Sequence, residues 1–219
     1  MRAVVFDLDG VLVDSEPVWE RVRRAYIAER GGRWTPEAQH RVMGMSTAEW
    51  SAFLAEELGV DAPPAQVAEE VVAAMGREYD AGVPLLPGAD AAVRQMADRA
   101  PLGLASSSPR QLIDRVLQVT GWAPLFAVTR STEEVARGKP APDVYVDVVA
   151  ALGVAPGDAV AVEDSTNGVR AALAAGLHVV AVPRPEYPVD PEVLDRAAAV
   201  LDDLAGLTRL APPYGGGGV

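Results

Sequence analysis

Met1-Arg2-Ala3-Val4-Val5-Phe6-Asp7-Leu8-Asp9-Gly10-Val11-Leu12-Val13-Asp14-Ser15 opens the chain. Residues 2–6 read as a short apolar strand that runs straight into two carboxylates two residues apart, followed at once by glycine. Side chains alternate along a strand, so Asp7 and Asp9 point to the same side. Two like charges that close repel, and each ionised form is disfavoured unless a cation sits between them. A hard metal such as magnesium, which prefers carboxylate oxygens, relieves the repulsion. Asp and Gly also open ordinary turns, so this stretch alone admits a structural reading beside the functional one.

Length and composition bound the rest. A chain of 219 residues is enough for one large domain, or for one domain with an insert. Hydrophobic residues make up 49% of it, broken regularly by Gly and Pro, as in a globular chain with a sizeable core. Lys and Arg number 19 against 31 Asp and Glu, a net charge of −12. Such a chain has no general attraction for nucleic acid or an anionic membrane, so any phosphate it binds is held locally. The absence of cysteine excludes disulfides, thiol nucleophiles and thiolate metal sites, and fits a reducing cytoplasm. The apolar residues before Asp7 are too few for a secretory signal. No run approaches the roughly 18 apolar residues of a membrane span. A cytoplasmic monomer is expected, with neither nucleic acid nor membrane as a partner.

After the first strand the periodicity becomes helical. Val18, Val22, Ala25 and Tyr26 share a face that Gly31-Gly32 ends, and Thr35-Pro36 opens a second helix. Ser46-Thr47-Ala48-Glu49 matches a capping box, with Trp50, Phe53, Leu54 and Leu58 forming one apolar face before Gly59. Val67, Val71, Met75 and Tyr79 recur every four residues. From Leu85 onward, short apolar runs at Leu102–Ala105, Phe126–Thr129, Ala159–Val162 and His178–Val182 alternate with helical stretches at 109–119, 142–152, 166–175 and 191–198. Such alternation predicts a parallel sheet with helices on both faces. A lone strand is unstable, so residues 2–6 belong in that sheet. The organisation expected is an α/β domain of residues 1–15 and 82–219, interrupted by a helical block of about four helices at 16–81. Pro212-Pro213-Tyr214 and the glycines after it read as a frayed tail.

In an open parallel sheet, ligands bind beyond the C-terminal ends of the strands. Asp7 and Asp9 sit at one such end. At the next come Ser106-Ser107-Ser108-Pro109, hydroxyls leading into a helix start that suits an anion, with Ser108 expected as the N-cap. A third leads to Gly138-Lys139-Pro140-Ala141-Pro142-Asp143, where a stiff loop restrains the lysine, although a solvated surface lysine reads the same way. The fourth ends in Glu163-Asp164-Ser165, a second acid pair. Two acid pairs, a hydroxyl-rich helix start and a lysine along one sheet edge form a metal-plus-phosphate site. The chemistry they suit is phosphoryl transfer, in which a cation bridges nucleophile and phosphoryl oxygen while Lys and Ser donors hold the other oxygens.

These motifs, in this order from Asp7 to Gly168, resemble those of the haloacid dehalogenase superfamily. The likeness is to the branch with a helical cap after the first strand, which includes β-phosphoglucomutase-like enzymes and small sugar-phosphate phosphatases. The resemblance implies a Rossmann-like α/β core, a parallel sheet sandwiched by helices, with an inserted four-helix cap. It implies Asp7 as nucleophile and magnesium ligand, and Asp9 as general acid/base whose backbone carbonyl also meets the metal. Ser106 and the backbone at Ser107 would hold the phosphoryl group, and Lys139 would neutralise it and orient Asp7. Asp164 would be a metal ligand, with Glu163 a ligand or just behind. Family dehalogenases lack the second acid, Asp9, which disfavours dehalogenation. Phosphonatases need a cap lysine, and residues 16–81 contain none. The β-phosphoglucomutases carry a His where Trp19 stands, and a cap Arg where Thr47 of Gly44-Met45-Ser46-Thr47-Ala48 stands. The expectation is therefore a magnesium-dependent phosphatase acting on a small phosphorylated metabolite, a sugar phosphate, through an aspartyl phosphate. A phosphosugar mutase and a catalytically silent sugar-phosphate-binding protein are the alternatives. Trp19, Met45 and Trp50 are candidates for the substrate pocket between cap and core, although apolar residues at helical spacing are more often core. His40 and His178, outside every motif, read as structural.

Overall fold

The computed structural model describes residues 1–42 and 45–209. Gly44 and the tail at 212–219 lie outside the described residues, as does the side chain of His40. The chain divides into two compact units, Met1–Asp14 with Pro84–Val219, and Ser15–Val83.

The first unit begins with β1 (Ala3–Phe6). The elements described in the second are helices: α1 (Glu16–Glu29), α2 (Ala38–Val42), α3 (Thr47–Ala52) and α4 (Pro64–Ala81), with a π-helical turn at Phe53–Glu57 extending α3. The capping box is present: Ser46 Oγ accepts from the Glu49 N–H, and the Glu49 carboxylate accepts from the Ser46 N–H at 2.7 Å. Val67, Val71, Met75 and Tyr79 of α4 are all buried, as their spacing predicts. Trp19 and Trp50 are buried in this unit, their rings 5.9 Å apart. The buried Arg23 guanidinium lies 4.6 Å from the Trp19 ring and 5.3 Å from that of Trp50. Met45, just before α3, is half-buried.

After Pro84 the first unit resumes with α5 (Ala89–Ala97), β2 (Leu102–Ser106), α6 (Arg110–Thr120), β3 (Phe126–Ser131), α7 (Asp143–Ala151), β4 (Ala159–Glu163), α8 (Thr166–Ala174), β5 (His178–Ala181), α9 (Pro191–Leu194) and β6 (Ala199–Val200). The six strands form one sheet, all parallel, in the order β3-β2-β1-β4-β5-β6. Helix α7 packs on β1, β2 and β3, and α8 on β4 and β5. Every residue of β1, β2 and β4 is buried, as expected of parallel strands covered on both faces. His178 opens β5, half-buried.

The sheet differs from expectation at its margins. Helix α5, which the sequence pattern above does not single out, buries Ala89, Ala92, Val93 and Met96. The helix expected over 191–198 stops at Leu194, because Ala199 pairs with Val180 as a short edge strand. Three consecutive alanines at 197–199 favour helix, and the free edge of β5 overrides them.

The order places β1 between the two halves of the sheet, where successive connections depart in opposite directions. The crevice beyond the C-terminal ends of strands at such a switch point is where ligands bind. Asp7 follows β1 directly, its N–H donating to the Val162 carbonyl at 3.0 Å.

Met75→Ala, which removes a fully buried side chain from α4, is expected to lower stability by about 2–5 kcal/mol. Arg77→Ala, on the exposed face of the same helix, should stay within about 0.5 kcal/mol. Urea denaturation of the two variants beside the wild type measures the contrast.

Candidate active site

Four strand ends deliver the chemistry. The register sets Phe6 beside Leu104 of β2 and Val162 of β4, so Asp7, Ser106 and Glu163 emerge together. Asp7, Glu163 and Asp164 are buried, and each offers a carboxylate oxygen within 4.8 Å of the others. Gly10 and Gly168 make the room. A Cβ on Gly10 would lie 2.0 Å from Asp164 Oδ2, and its φ of +81° also disfavours other residues. A Cβ on Gly168 would lie 2.0 Å from the Glu163 carboxylate.

Lys139 is the one lysine in the chain; the other 18 of its 19 basic residues are arginine. Its side chain is 6% exposed, so it is no solvated surface lysine. The ammonium donates to Asp7 Oδ1 at 2.7 Å, Glu163 Oε1 at 2.6 Å and the Ala105 carbonyl at 3.0 Å. Three hydrogens meet three acceptors, a match the planar fork of arginine does not reproduce.

Electrostatics follow from burial. Loss of water pushes the Asp7 carboxyl up, against the pull of the Lys139 ammonium, and the negative Glu163 and Asp9 add to the rise, leaving it at about 8. Burial likewise holds Asp164 well above the usual carboxylate range, reinforced by Glu163 and Asp7. For Lys139, burial acts downward, but Asp7 and Glu163 outweigh it and hold the ammonium above its ordinary value. Carboxylates that resist ionisation this strongly, with hard oxygen donors converging, fit a divalent cation.

Asp9 faces the serines. Its Oδ2 accepts from Ser108 Oγ at 2.7 Å and Ser106 Oγ at 3.3 Å, and its Oδ1 is buried with no hydrogen-bond partner among the described residues. Ser108 is therefore not the N-cap expected: Pro109 occupies that position and makes no side-chain cap. Ser106 Oγ also accepts from the Ser108 N–H at 2.9 Å, and Ser107 is exposed beside them.

Glu163 is fully engaged. Oε1 accepts from Lys139 and, at 2.7 Å, from the Tyr145 hydroxyl. Oε2 accepts from Ser165 Oγ at 3.2 Å and from the N–H groups of Asp164 and Ser165. Tyr145 is a member of the site that no motif announces, because a tyrosine at an apolar position of a helix reads as core. Trp19, Met45 and Trp50 belong to the other compact unit, where Trp19 and Trp50 pack on each other and on Arg23.

Residues 1–176 match the family of haloacid dehalogenase-like hydrolases. The chain is similar to hexitol phosphatase B of Escherichia coli (strain K12), at 35% identity over 213 residues covering 94% of each chain. It is also similar to the phosphorylated carbohydrates phosphatase of Thermotoga maritima, at 32% identity over 179 residues, 81% of this chain and 82% of the relative. Among solved structures it resembles that of CbbY from Rhodobacter sphaeroides in complex with phosphate, with a TM-score of 0.84 at 26% identity, covering 94% of this chain and 96% of that one.

Without metal, the folded protein keeps on Asp7 a proton that the unfolded chain loses near 3.8. The folded state then binds more protons, so metal-free stability falls as pH rises from about 4 towards about 8. A cation displacing that proton should bind more tightly as pH rises over the same range. Titration calorimetry with magnesium from about pH 6 to about pH 8 tests this, and a flat or falling affinity contradicts it. Gly10→Ala, which drives a methyl group into the Asp164 carboxylate, should weaken magnesium binding by about 10- to 100-fold in the same measurement.

Proposed function

Because the chain belongs to the haloacid dehalogenase-like hydrolase family, we propose that it is a magnesium-dependent phosphatase acting on a small phosphorylated sugar or sugar alcohol through a phosphorylated Asp7. The observation that carries this reading is the Lys139 ammonium, locked between Asp7 and Glu163 inside a buried acid cluster at the sheet's switch point. The phosphatase names of the relatives, hexitol phosphatase B and phosphorylated carbohydrates phosphatase, support the substrate class.

Asp7, Asp164 and the Asp9 backbone carbonyl would hold the magnesium ion. We assign Glu163 to hold Lys139 instead, since both its oxygens already accept hydrogen bonds from lysine, tyrosine, serine and backbone. Bound there, the ion offsets charge on the transferring phosphoryl group.

The chain's own residues do the rest. Lys139 holds Asp7 Oδ1, which fixes the orientation of the carboxylate and offsets its charge. An Asp7 oxygen attacks phosphorus and the ester P–O bond breaks. Asp9 gives a proton to the departing oxygen of the sugar. Its unpaired Oδ1 is the atom suited to carry that proton, while Ser108 and Ser106 anchor Oδ2. Asp9 then takes a proton from water as that water attacks the aspartyl phosphate, and the acyl P–O bond breaks to restore Asp7 and release phosphate. The Ser106 hydroxyl, at 3.3 Å from Asp9, has a bond long enough to exchange for a phosphoryl oxygen, with the Ser107 backbone beside it.

Phosphate release from hexitol and hexose phosphates, with and without magnesium, tests the reading. Asp7→Asn should lower kcat by at least ~10³-fold. Activity that survives that substitution, or efficient isomerisation of β-glucose 1-phosphate in place of phosphate release, overturns it.

A further inference from the structure

Helix α7 begins four residues after Lys139, and its third residue, Tyr145, returns to the site. The Tyr145 side chain is fully buried. Its hydroxyl donates to Glu163 Oε1 at 2.7 Å, and the face of its ring lies 5.1 Å from the Lys139 ammonium. One side chain thus touches both members of the Lys139–Glu163 pair, the hydroxyl on the carboxylate and the ring on the cation. Glu163 has little freedom of its own, since its carboxylate sits where any side chain at 168 would collide. Among the described residues its Oε1 has two donors, Lys139 and Tyr145.

We propose that Tyr145 is a positioning residue, which holds the Lys139 ammonium on Asp7 by sharing Glu163 Oε1 with it. The physical reason is a competition. Lys139 divides its hydrogens between Asp7 and Glu163, which are both buried acids. The tyrosine hydroxyl satisfies part of the charge on Oε1, so Glu163 does not draw the ammonium away from Asp7. Without that hydroxyl, Lys139 is the one donor left on a buried oxygen, and a buried acceptor short of a partner binds its remaining donor harder. The ammonium moves towards Glu163 and the attacking carboxylate loses its orienting contact. This role presupposes that Asp7 is the nucleophile, as the phosphatase reading holds.

Because the chain has one lysine, lysine labelled with nitrogen-15 gives a single side-chain ammonium signal that reports this contact directly. Tyr145→Phe keeps the buried ring and removes the hydroxyl. With p-nitrophenyl phosphate and magnesium, the variant is expected to lose kcat by about 10- to 100-fold with KM changed less than about twofold, and the lysine signal should move. The double variant Tyr145→Phe, Glu163→Gln should be no slower than Glu163→Gln alone, because the hydroxyl acts through that carboxylate. An unchanged kcat, an unmoved lysine signal, multiplying losses in the double variant, or a loss accounted for by the unfolded fraction in urea denaturation each overturns the proposal. If the wild type releases no phosphate from any ester, the phosphatase reading fails, while the lysine signal still tests the link from Tyr145 to Lys139.

Discussion

One ammonium makes the buried acid cluster tenable. Asp7, Glu163 and Asp164 are withdrawn from water together, and burial beside like charges holds the Asp7 and Asp164 carboxyls above the usual carboxylate range. Lys139 places a positive charge among them with all three hydrogens satisfied. The arginines serve elsewhere, several in exposed pairs such as Arg21–Glu78 and Arg24–Glu20. Exposed pairs of that kind contribute about 0–1 kcal/mol. Removing one partner of a buried pair costs about 3–5 kcal/mol, because the other charge is left uncompensated. The same imbalance that endangers the fold prepares the site: acids that resist ionisation in the absence of a cation are ready to receive one.

The sheet supplies the positions. Parallel register brings the ends of β1, β2 and β4 level, and the order of strands opens a crevice at β1. Fully buried strands form a rigid base, so the residues just beyond them inherit defined positions. Two glycines complete the arrangement by absence of a side chain. Gly10 leaves the volume that Asp164 occupies, and Gly168 the volume that Glu163 occupies. Gly10 lies in the turn after β1 and faces an acid far along the chain, whereas Gly168 lies in the first turn of α8 and faces the acid that ends the strand just before it.

Much of this is legible in the amino-acid sequence. The four-residue spacing of Val67, Val71, Met75 and Tyr79 marks a helix face, and the face is buried. The apolar runs that end in Asp7, Ser106 and Glu163 mark strands whose C-terminal ends carry the polar residues. The features that local pattern does not reveal have a common cause. Strand β6 exists because β5 offers it a free edge. Ser108 reads as a helix cap by its place before Pro109, but its hydroxyl turns to Asp9, 99 residues away in sequence. That the Trp19 and Trp50 rings pack against Arg23 is likewise set by tertiary contact.

The sequence by itself determined the fold class, the family and the inventory of reactive groups, because strand and helix periods and the motifs around Asp7, Ser106, Lys139 and Asp164 are local patterns. Only the tertiary structure decided how those groups divide their hydrogen bonds. That Glu163 is occupied by Lys139 and Tyr145, that Asp9 leans on Ser108, and that one lysine bridges two acids depend on which strand ends the register sets level. A pattern along the chain records which side chains are present. The partner each one takes is a matter of distances across the sheet, and those are set by packing between segments that the chain order does not place side by side.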